Sequence, residues 1–253
     1  IEHGCAASHS IAKMDNTVFW LGKDDRGNGI VWKASGYQPQ RISTHAVEMA
    51  IQKYGDISDA VAYTYQEEGH MFYVLNFTNG KSTWVYDAST GLWHERASGT
   101  GLNLTRSSIG YHTFAYNKHI VGEYLTGKLH TQSLNTNTHD GDDVTYLRSA
   151  PHVHNDLKFL YFSSFQLDME TGVGLDSGVQ GSDPQVILQW SDDGGHTWSN
   201  EHWVSAGKIG RYKARARWRR LGRSRDRVFR VIITDSVKIA LIGANVEVAQ
   251  GNN

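Results

Sequence analysis

Short runs of aromatic and β-branched residues, each closed by a turn rich in glycine, aspartate or asparagine, recur through the first half of this chain. Runs of that length have room for hairpins but not for amphipathic helices. Residues 18–21 (Val-Phe-Trp-Leu) and 30–32 (Ile-Val-Trp) flank the turn Asp24-Asp25-Arg26-Gly27-Asn28-Gly29. Residues 60–65 and 71–77 flank Glu67-Glu68-Gly69, and residues 82–86 and 92–94 flank Asp87-Ala88-Ser89-Thr90-Gly91. A further set runs through residues 111–116, 119–123 and 128–132. Asp87-x-x-Thr90-Gly91 is echoed by Glu123-x-x-Thr126-Gly127 in like context, as expected of successive blades of a propeller. The single helix expected spans residues 44–54, with Thr44 as N-cap, an apolar face of Ala46, Val47, Ala50, Ile51 and Tyr54, and Gly55 as the stop.

Composition agrees with an all-β chain. Eight Trp, 12 Tyr, 8 Phe and 26 Gly stand against only 20% charged residues, so strand and turn formers outweigh helix formers. Cys5 is the one cysteine, which excludes an internal disulfide and suits a reducing compartment. No apolar run approaches membrane-spanning length. The chain opens at Ile1, without Met, in ordinary globular sequence, and reads as the C-terminal part of a longer protein.

Around residues 135–143 (Asn-Thr-Asn-Thr-His-Asp-Gly-Asp-Asp) the chain turns polar, which sets the expected division into 1–137, propeller-like hairpin blades, and 138–253. Longer strands are expected beyond it, at residues 158–167, 185–190, 202–205, 212–221, 228–234 and 238–248, and a β-sandwich closes such a set.

Within the second half, Ser191, Asp193, Gly195, Thr197 and Trp198 fit the Asp-box pattern S-x-D-x-G-x-T-W. The pattern predicts a hairpin whose serine and aspartate bond loop amides, whose glycines take positive φ, and whose tryptophan folds over the base. Asp boxes occur in glycan hydrolases and in proteins without catalysis, so this one is read as a structural staple.

Directly after it, residues 208–230 hold 11 of the chain's 25 Lys and Arg with a single acid, Asp226, leaving 14 bases against 25 acids elsewhere. A formal net charge of -1 thus conceals a cationic segment on an anionic body. Alternation places Arg211, Lys213, Arg215, Arg217 and Arg219 on one face of a predicted strand and Tyr212, Ala214, Ala216 and Trp218 on the other. With Arg220, Arg223, Arg225 and Arg227 they form the candidate docking surface, for an acidic protein or for a phosphate backbone, with a solvated face as the plain alternative.

Catalytic candidates are weak. His152-Val153-His154 offers two imidazoles without a third ligand, and Asp140-Gly141-Asp142-Asp143 lacks the closing Glu of a calcium loop. Glycoside hydrolysis would need a carboxylate pair, and a sialidase an arginine cluster with a tyrosine nucleophile; Glu123 and Tyr124 are the nearest candidates, but the arginines crowd one segment. No P-loop, dinucleotide fingerprint or nucleophile elbow is present. The chain is read as no enzyme, with no catalytic residue, metal or cofactor. The alternative is a carbohydrate-binding or sialidase-like propeller, motivated by the Asp box and by Trp93 and Trp203.

Trp218-Arg219-Arg220-Leu221-Gly222-Arg223-Ser224-Arg225-Asp226-Arg227-Val228-Phe229-Arg230, preceded by Asp168-Met169-Glu170-Thr171-Gly172-Val173-Gly174 and Gly181-Ser182-Asp183-Pro184, resembles the phage packaged-DNA stabilisation family, tail hub or neck proteins of short-tailed phages. Asp15-Asn16-Thr17-Val18-Phe19-Trp20-Leu21-Gly22, Arg41-Ile42-Ser43-Thr44 and Trp84-Val85-Tyr86-Asp87 are similar to that family as well. The resemblance implies a propeller-like body, a homo-oligomeric ring in the virion tail assembled in the host cytoplasm, and a part in closing the portal channel after packaging. Implied partners are a portal adaptor, a tail needle or fibre, and possible contact with packaged DNA. It implies no catalytic residues.

Overall fold

The computed structural model describes residues 4–24, 27–156 and 158–251. Among the described residues the structure is all-β apart from one α-helix and one 3₁₀ turn, and the chain separates into two compact units, residues 1–134 and 135–253.

Unit one holds three antiparallel sheets in chain order. The first joins β1 (Gly4–Cys5), β2 (Ala12–Met14), β3 (Thr17–Asp24), β4 (Gly27–Ser35) and β5 (Gln38–Arg41). Asp25 and Arg26 of the expected β3–β4 turn lie outside the described residues. The helix α1 (His45–Gln52) follows, capped as expected by Thr44, whose Oγ1 accepts from the Val47 amide. Its buried face is Val47, Glu48 and Ile51; Ala46 points to solvent, contrary to expectation. Glu48 goes inside because Arg41 and Ser43 both donate to its carboxylate. Burial pushes that carboxyl up, but the bonds from Arg41, Ser43 and His45 outweigh it and hold it below the ordinary range.

The second sheet is a meander of β6 (Val61–Glu67), β7 (His70–Phe77), β8 (Ser82–Asp87), β9 (Leu92–Thr100) and β10 (Asn103–Arg106). The third is β11 (Ile109–Ala115), β12 (Lys118–Glu123) and β13 (Leu129–Gln132). The sequence echo is structural. Thr90 Oγ1 donates to Asp87 Oδ2 in the β8–β9 turn, and Thr126 Oγ1 donates to Glu123 Oε2 in the β12–β13 turn. In each, the threonine hydroxyl then accepts an amide two residues on, from Leu92 and from Lys128. The core joins Phe19, Leu21 and Val31 of the first sheet to Tyr73, Leu75 and Phe77 of β7, with Val47 and Ile51 of α1.

Unit two begins with the small ribbon β14 (Thr138–His139) and β15 (Asp142–Asp143), then forms two layers from β16 (Tyr146–Ser149), β17 (Val153–His154), β18 (Leu160–Met169), β19 (Gln185–Ser191), β20 (His202–Ser205), β21 (Arg217–Arg219), β22 (Arg223–Ser224), β23 (Asp226–Ile233) and β24 (Leu241–Gln250). One layer runs β16-β23-β19-β20, with β17 also on β23; the other has β18 at its centre, β24 on one side and β21 with β22 on the other. Phe162, Phe165, Leu167, Val186, Leu188, Trp218, Phe229 and Val231 fill the space between. Inward residues of β18 change phase from Leu160 and Phe162 to Phe165, Leu167 and Met169 across a bulge between Phe162 and Ser164. The extra residue keeps apolar side chains inward on both halves of a ten-residue strand.

The expected strand over 212–221 does not form. Its ladder shrinks to Arg217–Arg219, and residues 206–216 make a turn-rich loop with bonds from Arg211 N to Lys208 O (2.9 Å) and Ala214 N to Arg211 O (3.1 Å). Thr171 Oγ1 donates to Tyr212 O, and Gly210 N to Gly172 O, so these backbone groups are spent on the 171–172 strap and not on a ladder. The expected inward row fails with it, Tyr212 being 74% exposed. Gly172 makes the close approach possible: it sits at φ +79°, where a Cβ would lie 2.9 Å from the Arg211 backbone.

Candidate functional site

The Asp-box hairpin links β19 to β20. Ser191, 1% exposed, places its hydroxyl under the turn, donating to Asp193 Oδ1 (2.6 Å) and accepting from the amide of Gly195 (2.8 Å). Asp193 accepts from the Thr197 amide at both oxygens (2.9 and 3.0 Å) and from the Thr197 hydroxyl (2.6 Å). Gly194 and Gly195 take φ of +73° and +98°. Hydrogen bonds from the Ser191 hydroxyl, then from Thr197, hold the Asp193 carboxyl far below the usual aspartate range, so it is ionised and fully engaged within the turn.

Trp198 closes the hairpin through a cation. The Arg230 guanidinium lies 3.8 Å from the Trp198 ring centre, and Arg230 Nη2 donates to Gln189 Oε1, the residue directly across the β19–β23 ladder. One position earlier in the box, Asp192 takes Arg227 in a two-point grip, Nε to Oδ1 at 2.6 Å and Nη2 to Oδ2 at 2.8 Å. Arg227 is 2% exposed, donates also to Leu221 O, and packs over the rings of Phe162 and Trp190. The box and the arginine segment are therefore one construction.

That removes Arg227 from the candidate docking surface: it is a core arginine, buried because Asp192 and the Leu221 carbonyl satisfy it. Arg217 is also partly spent, on Ser164 Oγ (3.0 Å) and Glu247 Oε2 (3.2 Å). The rest of the segment behaves differently. Lys208, Arg211, Lys213, Arg215, Arg219, Arg220, Arg223 and Arg225 are all exposed, and none has an ion-pair partner among the described residues. Arg211, Lys213 and Arg215 sit on the 206–216 loop, Arg219 and Arg223 on β21 and β22, and Arg220 at φ +61° in the break between these two strands. Arg223 and Arg225 both approach the Phe159 ring, at 4.8 and 4.6 Å, which gathers two like charges at one place. The single alternating face anticipated from the sequence is replaced by a loop and an interrupted edge strand.

The partners Asp192, Gln189, Ser164, Glu247 and Phe159 were not singled out from the sequence. Only Asp192 carried a signal, as an acid inside a box adjoining an arginine run. Of the weaker candidates, His152 Nδ1 is bound to Asp226 Oδ2 (2.7 Å). Glu123 gives Oε2 to Thr126 and stands 3.6 Å from His130 Nε2. Trp93 is half-buried and donates to Ile42 O, a structural role, whereas Trp203 on β20 is 54% exposed.

Two family models together span nearly the whole chain. The model for the bacteriophage P22 Gp10 β-propeller matches residues 1–136, and that for the bacteriophage P22 Gp10 β-sandwich matches residues 145–249. The chain belongs to the bacteriophage P22 Gp10 family. A propeller region followed by a sandwich domain is thus its architecture, and it is a structural protein of the phage virion in the packaged-DNA stabilisation family. No curated protein matches this Gp10-family chain. Among solved structures it is similar to a family 43 arabinoxylan arabinofuranohydrolase from Bacillus subtilis, solved with cellotetraose (10% identity, 98% of this chain and 52% of that one, TM-score 0.24). It is also similar to an exo-β-1,3-galactanase from Phanerochaete chrysosporium, solved with galactose (9% identity, 97% and 56%, TM-score 0.23). The chain spans little more than half the length of either, and likenesses at that level carry no argument about activity.

Proposed function

We propose that this chain is a non-catalytic docking component of the phage tail, a hub or neck element below the portal that helps retain the packaged genome. Within one segment, Arg217, Arg227 and Arg230 are supplied with partners by the fold, while eight neighbouring cations are exposed and have no ion-pair partner among the described residues. That contrast carries the reading. Self-repulsion among unpaired cations costs stability, and the fold shows elsewhere that it can place an acid opposite an arginine; cations left open are complementary to an anionic partner.

The partner we favour is the acidic surface of another tail protein or of a second copy in a ring, since 25 acids against 14 bases lie outside the segment. Reversing Lys213 and Arg215 to Glu tests this. Both are exposed on a loop, so urea unfolding should stay near wild type. Association with a portal-adaptor protein should slow, with moderate salt dependence. A contact with packaged DNA would instead show affinity falling log-linearly with salt, the slope shrinking by about 0.9 for each phosphate contact removed. Unchanged association and unchanged DNA retention in particles would refute the docking role. The carbohydrate alternative is disfavoured because Ser191, Asp193 and Thr197 spend their polar atoms on one another; turnover of aryl glycosides or sialosides that disappears on changing Glu123 would reverse that judgement.

A further inference from the structure

The sandwich of unit two is open along one side. Its two layers end there on edge strands, β16 in one and β24 in the other, each paired with a single neighbour among the described residues. Between these edges lies a cavity of about 350 Å³, floored by the core residues Phe165, Phe229 and Val231 and rimmed by Arg148 of β16 and by Leu241 and Ile242 of β24. Leu241 is 39% and Ile242 76% exposed, so apolar surface continues from the core out to solvent.

β24 is built as an edge that receives a strand. Edge strands that stay single are kept so by being short or by carrying Lys or Pro. β24 is ten residues long and exposed over nearly its whole length, residues 239–250 contain neither Lys nor Pro, and their one charge, Glu247, is engaged by Arg217. The bulge in β24 falls at Ile242, opposite Asp168 and Met169 and beside the cavity, so the stretch after it offers regular backbone donors and acceptors along its free side. Across the opening, Arg148 is the one charged residue lining the cavity; it is exposed and has no ion-pair partner among the described residues. A cation at the mouth of an apolar cavity is complementary to an acid that arrives together with an apolar side chain.

We propose that β24 and the cavity beside it take up an extended segment of a partner protein as an added strand, with a large apolar side chain of that segment in the cavity and an acidic residue close to it in sequence on Arg148. Main-chain bonds to the free edge supply affinity in this mode, and the side-chain pocket supplies selectivity. The cavity volume is at the lower end of those that hold small ligands, which suits a single anchoring side chain. A second copy of β24 fits less well, because its only acid, Glu247, already holds Arg217. The site uses none of the exposed cations of residues 208–225, so it and the docking surface there stand or fall separately.

The test uses the whole chain and two labelled octapeptides, Val-Thr-Val-Thr-Phe-Thr-Asp-Thr and the same sequence with Lys in place of Asp, read by fluorescence polarisation and by amide exchange in β24. Saturable binding is expected, with slower exchange in β24 and the Asp peptide preferred about fivefold, the worth of one exposed ion pair. Arg148→Glu should reverse that preference, and Ile242→Asp should weaken both peptides; both positions are exposed, and circular dichroism establishes that each variant is folded. Absence of saturable binding by the wild-type chain, or a preference that Arg148→Glu leaves unchanged, overturns the proposal. Self-association in sedimentation that Ile242→Asp abolishes would put a second copy on the edge and overturn it as well.

Discussion

Removing Asp192 should harm this fold more than removing the arginine it binds. Arg227 is 2% exposed and Asp192 44% exposed, so the pair is buried on one side only. Asp192→Ala leaves a buried guanidinium with Leu221 O as its main remaining acceptor, and an uncompensated buried charge costs about 3–5 kcal/mol. Arg227→Met leaves a carboxylate that water can reach, and the methionine stem still fills the space against Phe162 and Trp190. Its loss is the Leu221 carbonyl bond and the ring contacts, about 1–2 kcal/mol. The double variant should match Arg227→Met alone, which makes the coupling between the two sites close to the whole cost of Asp192→Ala. Urea unfolding followed by amide exchange in β19 and β23 measures this unit separately from the other. If Arg227→Met proves as damaging as Asp192→Ala, the arginine acts through its packing, and the argument from an uncompensated charge is wrong.

Asp193→Ala should lower the thermal midpoint of the sandwich unit while leaving association through the cations intact in the folded fraction; loss of association with an unchanged midpoint would make Asp193 a binding residue. Because the folded Asp193 carboxyl titrates below its unfolded value, its contribution is present in full above the unfolded pKa and is lost progressively as pH falls from there through the folded one, so hairpin amides should stay protected at about pH 3.5, where the folded carboxyl is still ionised, in native-state exchange. Gly172→Ala puts a Cβ 2.9 Å from the Arg211 backbone at φ +79°, and should cost at least about 1 kcal/mol and weaken docking by displacing Arg211, Lys213 and Arg215; a variant with wild-type stability and association would contradict the account of that loop. Burial, and then the nearby Arg96, lower the His94 pKa from 6.5 to about 4. The unfolded chain therefore takes up a proton that the fold does not, and unit one should lose stability as pH drops through that window. His94 still meets solvent, so the drop stays well short of that for a fully buried imidazole, and His94→Gln should flatten it in urea midpoints at pH 7 and 5.

What was legible from the sequence is what depends on neighbours along the chain. Hairpin turns such as Asp87–Thr90–Gly91, the Thr44 cap and the Asp box close within four residues, and the side chains that build them recognise backbone groups that any such turn presents. The all-β class followed from the same local preferences, and the family from motifs spread along both halves. Period-two alternation over residues 211–219 was an equally local signal, and it misled, because ladder formation needs a second strand. The backbone of residues 206–216 binds the 171–172 strap about 40 residues earlier in the chain, which no pattern inside the segment records. The sorting of the arginines was likewise decided in three dimensions. Nothing near Arg227 or Arg217 in the chain distinguishes them from Arg215 or Arg219. Asp192, 35 residues before Arg227, and Glu247, 30 residues after Arg217, do so by meeting them between strands of one sheet, Asp192 from the end of β19 beside β23 and Glu247 from β24 over β18 toward β21. A buried charge is tolerable only where its counter-charge arrives, and that arrival belongs to the tertiary structure.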